Sequence, residues 1–379
     1  MDPPSKPLEI QELVDHCIDF LHDSRRDLKR CALVCRAWLY PAQFHLFRNW
    51  TFLDTAADQH RRVAQLDRMP MSPGVLRLVV RLQAQLQYVY RPQFSAFLPQ
   101  FTKLQELRIG GVYLPSSSTY WMSMMTVKRL LSIPSIQRVE LYCTFHHLAP
   151  FLRLWEGCSD NIQHLALGRV IITGRADDWV IPSSLVRRTS RIRLETLVIS
   201  YGAFIRRWVA ADACPFDFSR LTKLTLRMVE HVGAFKWGPL SGSLATIEEL
   251  DLTMIQQMPR AGPPPHIDLS QFKRLRILAL RSFDSETTVN ILDTLSTVHP
   301  HNRILISRIS LFPSLLTIEA LTRLDTLLTT LPLLELVEVK LGWAWTSEVY
   351  RLTVAEDYLP LLRSRYLLTV VETRGSDLN

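Results

Sequence analysis

A recurring spacing of apolar residues runs along most of the chain and constrains its fold more than any other feature. Its clearest form is the segment 101–109, FTKLQELRI, where the first, fourth, seventh and ninth residues are apolar. Seven further copies follow, two of them with a weaker first position, and their last apolar residues are 141, 167, 199, 226, 252, 280 and 339. Ile304 and Ile306 lie near the middle of the longest step, where we expect a degenerate copy.

Successive copies are 26 to 32 residues apart up to position 280, which is the period of a solenoid. In a solenoid each unit is a strand plus a return segment, and a single unit cannot bury its apolar face alone. Helical patterns precede most copies, at residues 121–131, 148–155, 177–187, 204–211, 285–298, 318–328 and 347–362. Strand and helix therefore alternate, and the strands should be parallel. We predict an α/β solenoid whose first strand is the apolar run 75–80.

The L-x-x-L-x-L core of each copy resembles the leucine-rich repeat. In that family a short strand of each unit lines the inside of a horseshoe. The asparagine or cysteine that usually follows the third leucine is missing from most copies here. The resemblance implies an irregular leucine-rich-repeat horseshoe with a parallel sheet over residues 75–379.

The first fifty residues carry a different, helical pattern. Apolar residues between 10 and 21 form one stripe at helical spacing, which predicts a first amphipathic helix. Ser24, with Asp27 three residues later, is a typical start for a second helix, and the apolar residues from 28 to 39 continue it. We expect Pro41 to end or bend that helix, and a third short apolar element to include Phe44.

The same stretch resembles an F-box, the helical motif that docks substrate receptors onto the Skp-type adaptor of cullin-RING ubiquitin ligases. The resemblance is carried by Pro7-Leu8-Glu9-Ile10 and above all by the segment 31–38, CALVCRAW, which is similar to the F-boxes of many fungal proteins. It implies an F-box over residues 1–50. For residues 51–74 we predict a linking helix, because the polar stretch 54–66 has a helical pattern and the proline- and glycine-containing segment 69–74 ends it. The F-box resemblance also implies that eight residues pack the motif or face the adaptor: Pro7, Leu8, Ile10, Leu28, Leu33, Val34, Cys35 and Trp38. Plain core packing is the alternative for Cys35, Trp38 and Leu13.

Residues between the leucines should point to the inner face of the sheet, because strand side chains alternate. Neighbouring copies then place Glu106 beside Arg138, Arg108 beside Glu140, and Lys223 beside Glu249. These pairs are either a ligand surface or ordinary cross-strand ion pairs. We predict that the inner face binds a protein substrate through Arg108, Tyr142, His164, Arg227 and Arg281.

Composition and motifs exclude several classes of function. The apolar fraction of 47% is that of a folded chain, and neither a signal core nor an apolar run long enough for a membrane span is present. Six scattered cysteines without a C-x-x-C pair indicate reduced thiols, hence a cytosolic or nuclear protein. His146 and His147 with Cys143 and Cys158 match no zinc spacing. Nucleotide-binding and hydrolase signatures are absent, so we expect neither catalysis nor a cofactor.

The sequence thus predicts a non-catalytic substrate receptor of an Skp–cullin–F-box ubiquitin ligase. Its partners would be the Skp-type adaptor, cullin through that adaptor, and an unknown protein substrate. One alternative is an interaction scaffold that ubiquitinates nothing. A second alternative, a nucleic-acid-binding solenoid, draws on the net charge of +8 but is disfavoured because the inner rows are mixed in sign.

Overall fold

The architecture comes from a computed structural model of the chain. It describes residues 11–52, 73–89, 92–111, 117–145, 148–168, 170–172, 192–200, 214–229, 238–254, 267–282, 285–298, 304, 306–311, 318–331, 334, 336–342, 359–365 and 368–373. The chain divides into two compact units, one formed by residues 1–162 and 172–185 and the other by residues 163–171 and 186–379.

Three helices open the first unit, as the apolar spacing predicted: α1 (Gln11–Phe20), α2 (Arg25–Cys31) and α3 (Arg36–Phe47). Their core contains six buried residues, Val14, Ile18, Leu28, Cys31, Ala42 and Leu46. Helix α2 starts after Ser24, as predicted, but the Ser24 hydroxyl donates to the Asp27 carboxylate at 2.6 Å instead of capping the backbone. A core this small leaves much of the surface of the helices in solvent.

The predicted helix boundaries around residues 32–41 were wrong. The chain breaks between Cys31 and Arg36, and Pro41 lies inside α3 without ending it. Pro41 has no N–H to donate to the carbonyl of Ala37, four residues earlier. The Gln11 side chain from α1 donates to that carbonyl at 3.4 Å, so a tertiary contact replaces the missing helical bond.

Four strands form the sheet described in the first unit: β1 (Asn49–Phe52), β2 (Arg81–Gln85), β3 (Glu106–Gly111) and β4 (Arg138–Phe145). Neighbours in the chain pair in parallel. Between and after them lie α4 (Pro73–Leu76), α5 (Leu86–Val89), α6 (Pro92–Phe97), the 3₁₀ turn Leu98–Gln100, α7 (Ser117–Leu131) and α8 (Leu148–Leu154). The predicted helices over 121–131 and 148–155 are confirmed.

The predicted first strand over 75–80 was wrong. A helical turn occupies the start of this run, and Leu76, Leu78 and Val79 are buried without the alternation of a strand. The strand β2 follows directly, with the polar sequence RLQAQ and alternating burial. The strand β1 comes earlier, at the end of the predicted F-box, and the apolar pattern did not indicate it either.

The second unit contains β5 (His164–Gly168), β8 (Thr196–Ser200), β10 (Lys223–Val229), β11 (Glu249–Met254), β12 (Ile277–Ser282), β13 (Ile306–Leu311), β14 (Leu336–Gly342) and β15 (Leu368–Thr373), paired in parallel in this order. Three short strands come between these in the chain: β6 (Ile171–Ile172), β7 (Ile192–Arg193) and β9 (Phe216–Asp217). Of these, β7 pairs with β9. The return segments are the 3₁₀ stretches Gly238–Thr246 and Leu269–Gln271, then α9 (Ser285–Ser296), α10 (Ile318–Thr329) and α11 (Pro360–Ser364).

The repeated leucines form the cores of both units. In the segment 101–109 all four apolar positions are buried, and the copies ending at 226, 252 and 280 are buried to the same degree. The degenerate copy predicted near residue 304 is present as β13, but its register is shifted from the one we expected. In the backbone register Ile306 pairs with Ile277, and Ile309, which is buried, takes the leucine position beside Leu280.

One backbone contact recurs between successive repeats of the strand pattern. The carbonyl of the residue just before a strand accepts hydrogen bonds from two consecutive amides at the start of the next strand repeat. Val80, for example, accepts from Gln105 and Glu106. The carbonyls of Gln163, Glu195, Thr222 and Glu248 do the same within the second unit. This repeated bond sets the register of each new strand on the last.

These observations confirm an α/β fold built on large parallel sheets whose strands alternate with helical segments. The finer predictions, an F-box and a leucine-rich-repeat horseshoe, go beyond this architecture. The linking helix predicted for residues 54–66 and the helices predicted for 177–187 and 204–211 lie outside the described residues. The strand β15 pairs with β14, so the sheet continues beyond the predicted last strand.

Candidate functional site

The residues predicted to face an adaptor separate into a buried and an exposed group. Leu28 is 1% exposed and belongs to the helical core, and Trp38 is partly buried against it. Leu33 and Val34 are 86% and 62% exposed, the reverse of what their apolar side chains favour in a core. Cys35 is exposed as well. The remaining three, Pro7, Leu8 and Ile10, lie outside the described residues.

The turn between α2 and α3 explains this exposure. The amides of Leu33 and Val34 donate to the carbonyls of Arg30 and Cys31 at 3.0 and 3.1 Å, which continues a tight turn after the helix ends. Cys35 is extended, with φ −162° and ψ 174°, and starts α3. The two apolar side chains thus lie on an ordered turn, where folding of the chain alone does not bury them.

Helix α3 extends the same exposed region. Leu39 and Tyr40, in its first turns, are also exposed, and we call Leu33, Val34, Leu39 and Tyr40 together the apolar surface. Two contacts show that α1 and α3 lie side by side and parallel. Gln11 contacts Ala37 where both helices begin, and Asp19 bonds His45 at 2.7 Å near their ends. The parallel pair places Leu13 of α1, itself exposed, at the level of Leu39.

A second candidate site lies on the sheet face opposite the buried leucines, which we call the polar face. In the first unit it contains a groove of about 300 Å³ lined mainly by polar residues of β1 to β4. One row across the strands is Asn49, Arg81, Glu106 and Arg138, and the next is Thr51, Gln83, Arg108 and Glu140. The register confirms the predicted placement of Glu106 beside Arg138 and of Arg108 beside Glu140.

The ion pairs in this groove differ in part from those expected. Glu106 pairs with Arg81, at 2.9 Å, although Arg138 is its other neighbour in the row. Arg108 pairs with Glu140 at 3.5 Å, and its guanidinium carbon lies 4.9 Å from the centroid of the Tyr142 ring. The structure therefore brings together the two predicted residues of this unit, Arg108 and Tyr142.

The polar face of the second unit holds the other three predicted residues at separate places. His164 Nδ1 lies 2.9 Å from the Thr196 hydroxyl. Arg281 donates to Asp251 at 3.1 Å, and Lys223 pairs with Glu249 at 2.6 Å as the register predicted. Arg227 is exposed on β10, beside Ser200. His164, Arg227 and Arg281 lie on β5, β10 and β12, and another strand lies between each of these and the next, so the three form no single cluster.

Three charged residues of the two polar faces were not predicted from the sequence to be site residues. Arg81 was overlooked because its strand was placed six residues too early, and a correct assignment of β2 would have shown it. Arg138 appeared in the predicted row but was treated as the partner of Glu106. Asp251 has one carboxylate oxygen, Oδ1, that is buried and has no hydrogen-bond partner among the described residues, whereas the other oxygen binds Arg281. No sequence pattern signals that difference.

The six cysteines divide into four that are buried, Cys31, Cys143, Cys158 and Cys214, and two that are exposed, Cys17 and Cys35. Cys143 and Cys158 are buried, and burial raises the pKa of the Cys143 thiol to about 12. Within the described ranges, no three His, Cys, Asp or Glu side chains are grouped to hold a metal ion. His146 and His147 lie outside those ranges. Of the helices in the described part of the chain, none combines the length and apolar character needed to cross a bilayer.

Comparison with known proteins adds no family assignment. No protein-family model matches the chain, and no curated protein matches it either. The candidate sites therefore have to be interpreted from their own geometry: an exposed apolar turn on a small helical module, and a charged polar face on parallel sheets.

Proposed function

We propose that the chain is the substrate-binding subunit of an Skp–cullin–F-box ubiquitin ligase, working in the cytosol or nucleus. The helical module would be the F-box that binds the Skp-type adaptor. The parallel sheets would belong to a leucine-rich-repeat horseshoe whose polar face binds a protein substrate. The observation that carries the proposal is the apolar surface at the turn between α2 and α3.

The energetics of that surface support a partner. Burying a leucine or valine side chain stabilises a complex by roughly 1.5–3 kcal/mol compared with leaving it in water. Leu33 and Val34 are on an ordered turn, so little conformational entropy opposes their burial in a partner. The segment that contains them, CALVCRAW, is also the part of the sequence that most resembles an F-box.

The proposed role is one of proximity. A subunit that holds the adaptor with one module and a substrate with another raises the effective concentration of substrate lysines near the ligase. The chain's own residues bind and orient in this mechanism, and ubiquitin transfer takes place elsewhere in the complex. A substitution would act by weakening one of the two contacts.

Binding of purified Skp-type adaptor tests the proposal directly. We expect the full chain to bind in biolayer interferometry, and the double variant Leu33→Asp with Val34→Asp to bind at least about tenfold more weakly, since both apolar contacts are lost. Both side chains are exposed, so the variant should fold, as circular dichroism would verify. A second variant, Pro7→Ala with Leu8→Ala, examines the predicted contacts outside the described residues.

The matched control is Met122→Asp with Met125→Asp, since both methionines are exposed on α7 of the same unit. This control also replaces two exposed apolar side chains by aspartate, but outside the apolar surface. It should bind the adaptor as the parent chain does. Absence of adaptor binding by the folded parent chain would overturn the proposal and leave an interaction scaffold. An equal loss of adaptor binding in the Leu33–Val34 variant and in the Met122–Met125 control would also count against the proposal.

A further inference from the structure

We infer that the groove on β1 to β4 binds an unmodified aspartate or glutamate side chain from an extended segment of the substrate. This inference rests on the proposed function, since it names the class of substrate that one surface of the receptor would recognise. The groove lies on the strands β1 to β4 and not on the helices α1 to α3 that resemble an F-box.

The charges in the groove leave one arginine uncompensated. Three arginines and two glutamates line it. Arg81 pairs with Glu106, and Arg108 pairs with Glu140. The Arg138 side chain is exposed, and within the described ranges its guanidinium makes neither a hydrogen bond nor an ion pair. The groove therefore has an excess of one positive charge, located on β4.

The neighbour that Arg138 would otherwise use is already engaged. Glu106 lies beside Arg138 in the strand register, but its carboxylate lies 2.9 Å from the Arg81 Nε on the other side. A guanidinium presents a planar set of donors that matches a carboxylate, and such a pair is stronger than a neutral hydrogen bond. An incoming carboxylate can therefore supply the partner that Arg138 lacks without breaking an existing pair.

The same charges favour a carboxylate over a phosphate. A phosphorylated side chain carries a charge of about −1.5 to −2 near neutral pH. Glu106 and Glu140 line the same groove, so the second negative charge would meet two carboxylates and no free arginine. A single carboxylate matches the excess of one charge, and a dianion exceeds it.

The walls of the groove fit a short extended peptide. Its volume of about 300 Å³ is at the lower end of the roughly 300–1,000 Å³ found for ligand pockets. Asn49, Thr51 and Gln83 line it beside the charged residues, and their amides and hydroxyl can bond peptide N–H and C=O groups. Arg108 pairs with Glu140 and lies over the Tyr142 ring, and the Tyr142 hydroxyl donates to the same Glu140 oxygen, so this wall is preorganised.

Immobilised seven-residue peptide libraries test the inference. The flanks are randomised, and the central residue is aspartate, glutamate, glutamine, lysine or phosphoserine. We expect the labelled full chain to bind the aspartate and glutamate libraries about tenfold more than the glutamine library. In Arg138→Glu this preference should vanish, and in Arg138→Gln it should fall, with both variants retaining the parent circular dichroism spectrum.

The matched control is Arg153→Glu, because Arg153 is an exposed arginine of α8 that does not line the groove and the substitution changes the net charge equally. It should keep the acidic preference. Equal binding of the glutamate and glutamine libraries would overturn the inference. So would an equal loss in Arg153→Glu, which indicates nonspecific attraction, or stronger binding of the phosphoserine library, which indicates a phosphate site.

Adaptor binding by the same proteins separates this inference from the proposed function. We expect Arg138→Glu to bind the Skp-type adaptor as the parent chain does, since Arg138 lies on β4 and not in the helical module. A parent chain that binds adaptor but shows no acidic preference contradicts the inference alone. A parent chain that prefers acidic peptides but binds no adaptor contradicts the proposed function.

Discussion

At the scale of single residues, burial separates side chains that the sequence treats alike. Cys31 and Cys35 are four residues apart in one apolar stripe, but Cys31 is in the helical core and Cys35 is exposed. Desolvation is the main reason that the pKa of the Cys31 thiol is raised, followed by the nearby charge of Asp27. For Cys143 burial raises the pKa to about 12, from an ordinary value of 9.0.

This difference predicts the thiol chemistry of the chain. The thiolate is the reactive form, and a raised pKa keeps the folded thiol protonated at every pH below the raised value. At pH 8 and at pH 9 we expect Cys17 and Cys35, which are exposed, to react rapidly with a disulfide reagent. Cys143 should stay unlabelled at both pH values until the chain unfolds.

Mass spectrometry of the labelled peptides would identify each site. The control is Cys17→Ser with Cys35→Ser, which should abolish the fast phase and leave a slow one limited by opening of the fold. Rapid labelling of Cys143 in the folded chain would contradict the burial described for it.

At the scale of elements, a single side chain joins two return helices of the second unit. Asp325 of α10 is 2% exposed, and its two oxygens accept hydrogen bonds from the amides of Leu361 and Leu362, each at 2.9 Å. These amides are at the start of α11, where a helix has no partners of its own for its first N–H groups. A carboxylate there also interacts favourably with the helix dipole.

We expect Asp325→Ala to lower the free energy of unfolding by about 2–4 kcal/mol, because it leaves buried amides without an acceptor. Asp325→Asn keeps one acceptor oxygen and should cost roughly half as much. Urea denaturation followed by circular dichroism measures both changes.

Asp293→Ala is the matched control for this prediction. Asp293 lies on α9 and pairs with Arg323 at 2.9 Å, but both side chains are partly exposed. A surface ion pair contributes about 0–1 kcal/mol, so its loss should be small. Equal costs for the two alanine substitutions would show that the cap of α11 is not important.

At the scale of the whole molecule, the net charge of +8 is not concentrated on one surface of the described units. On the polar face of the first unit three arginines alternate with two glutamates, and on that of the second unit Lys223 and Arg281 are paired with acids. Nucleic-acid binding requires a continuous basic stripe that contacts many phosphates.

We therefore expect weak binding of a duplex of about 20 base pairs, with little dependence on salt. The slope of log K against log salt concentration should be smaller in magnitude than about 2, whereas six to ten phosphate contacts give a far steeper slope. Fluorescence polarisation at several salt concentrations measures it. A steep slope would favour the nucleic-acid-binding alternative over a protein receptor.

The leucine spacing by itself determined the α/β class, the parallel pairing and most strand positions. Leucines at the fourth, seventh and ninth positions of each copy can be buried together only when successive strands stack in register. The same spacing predicted the neighbours Lys223 and Glu249, because side chains alternate along a strand. Local helical periodicity likewise predicted α7, α8, α9 and α10 close to their observed bounds.

Only the tertiary structure decided features that depend on contacts distant in sequence. Pro41 lies inside its helix, and Gln11, thirty residues earlier in the chain, donates to the Ala37 carbonyl that proline cannot bond. β2 forms from the polar run RLQAQ because neighbouring strands supply its hydrogen bonds. Glu106 has an arginine on each side, and side-chain geometry alone determined that it pairs with Arg81 and leaves Arg138 available. The local sequence pattern indicates which faces of a strand or helix are apolar. Which of two possible partners a side chain binds depends on contacts that form only when the strands and helices pack together.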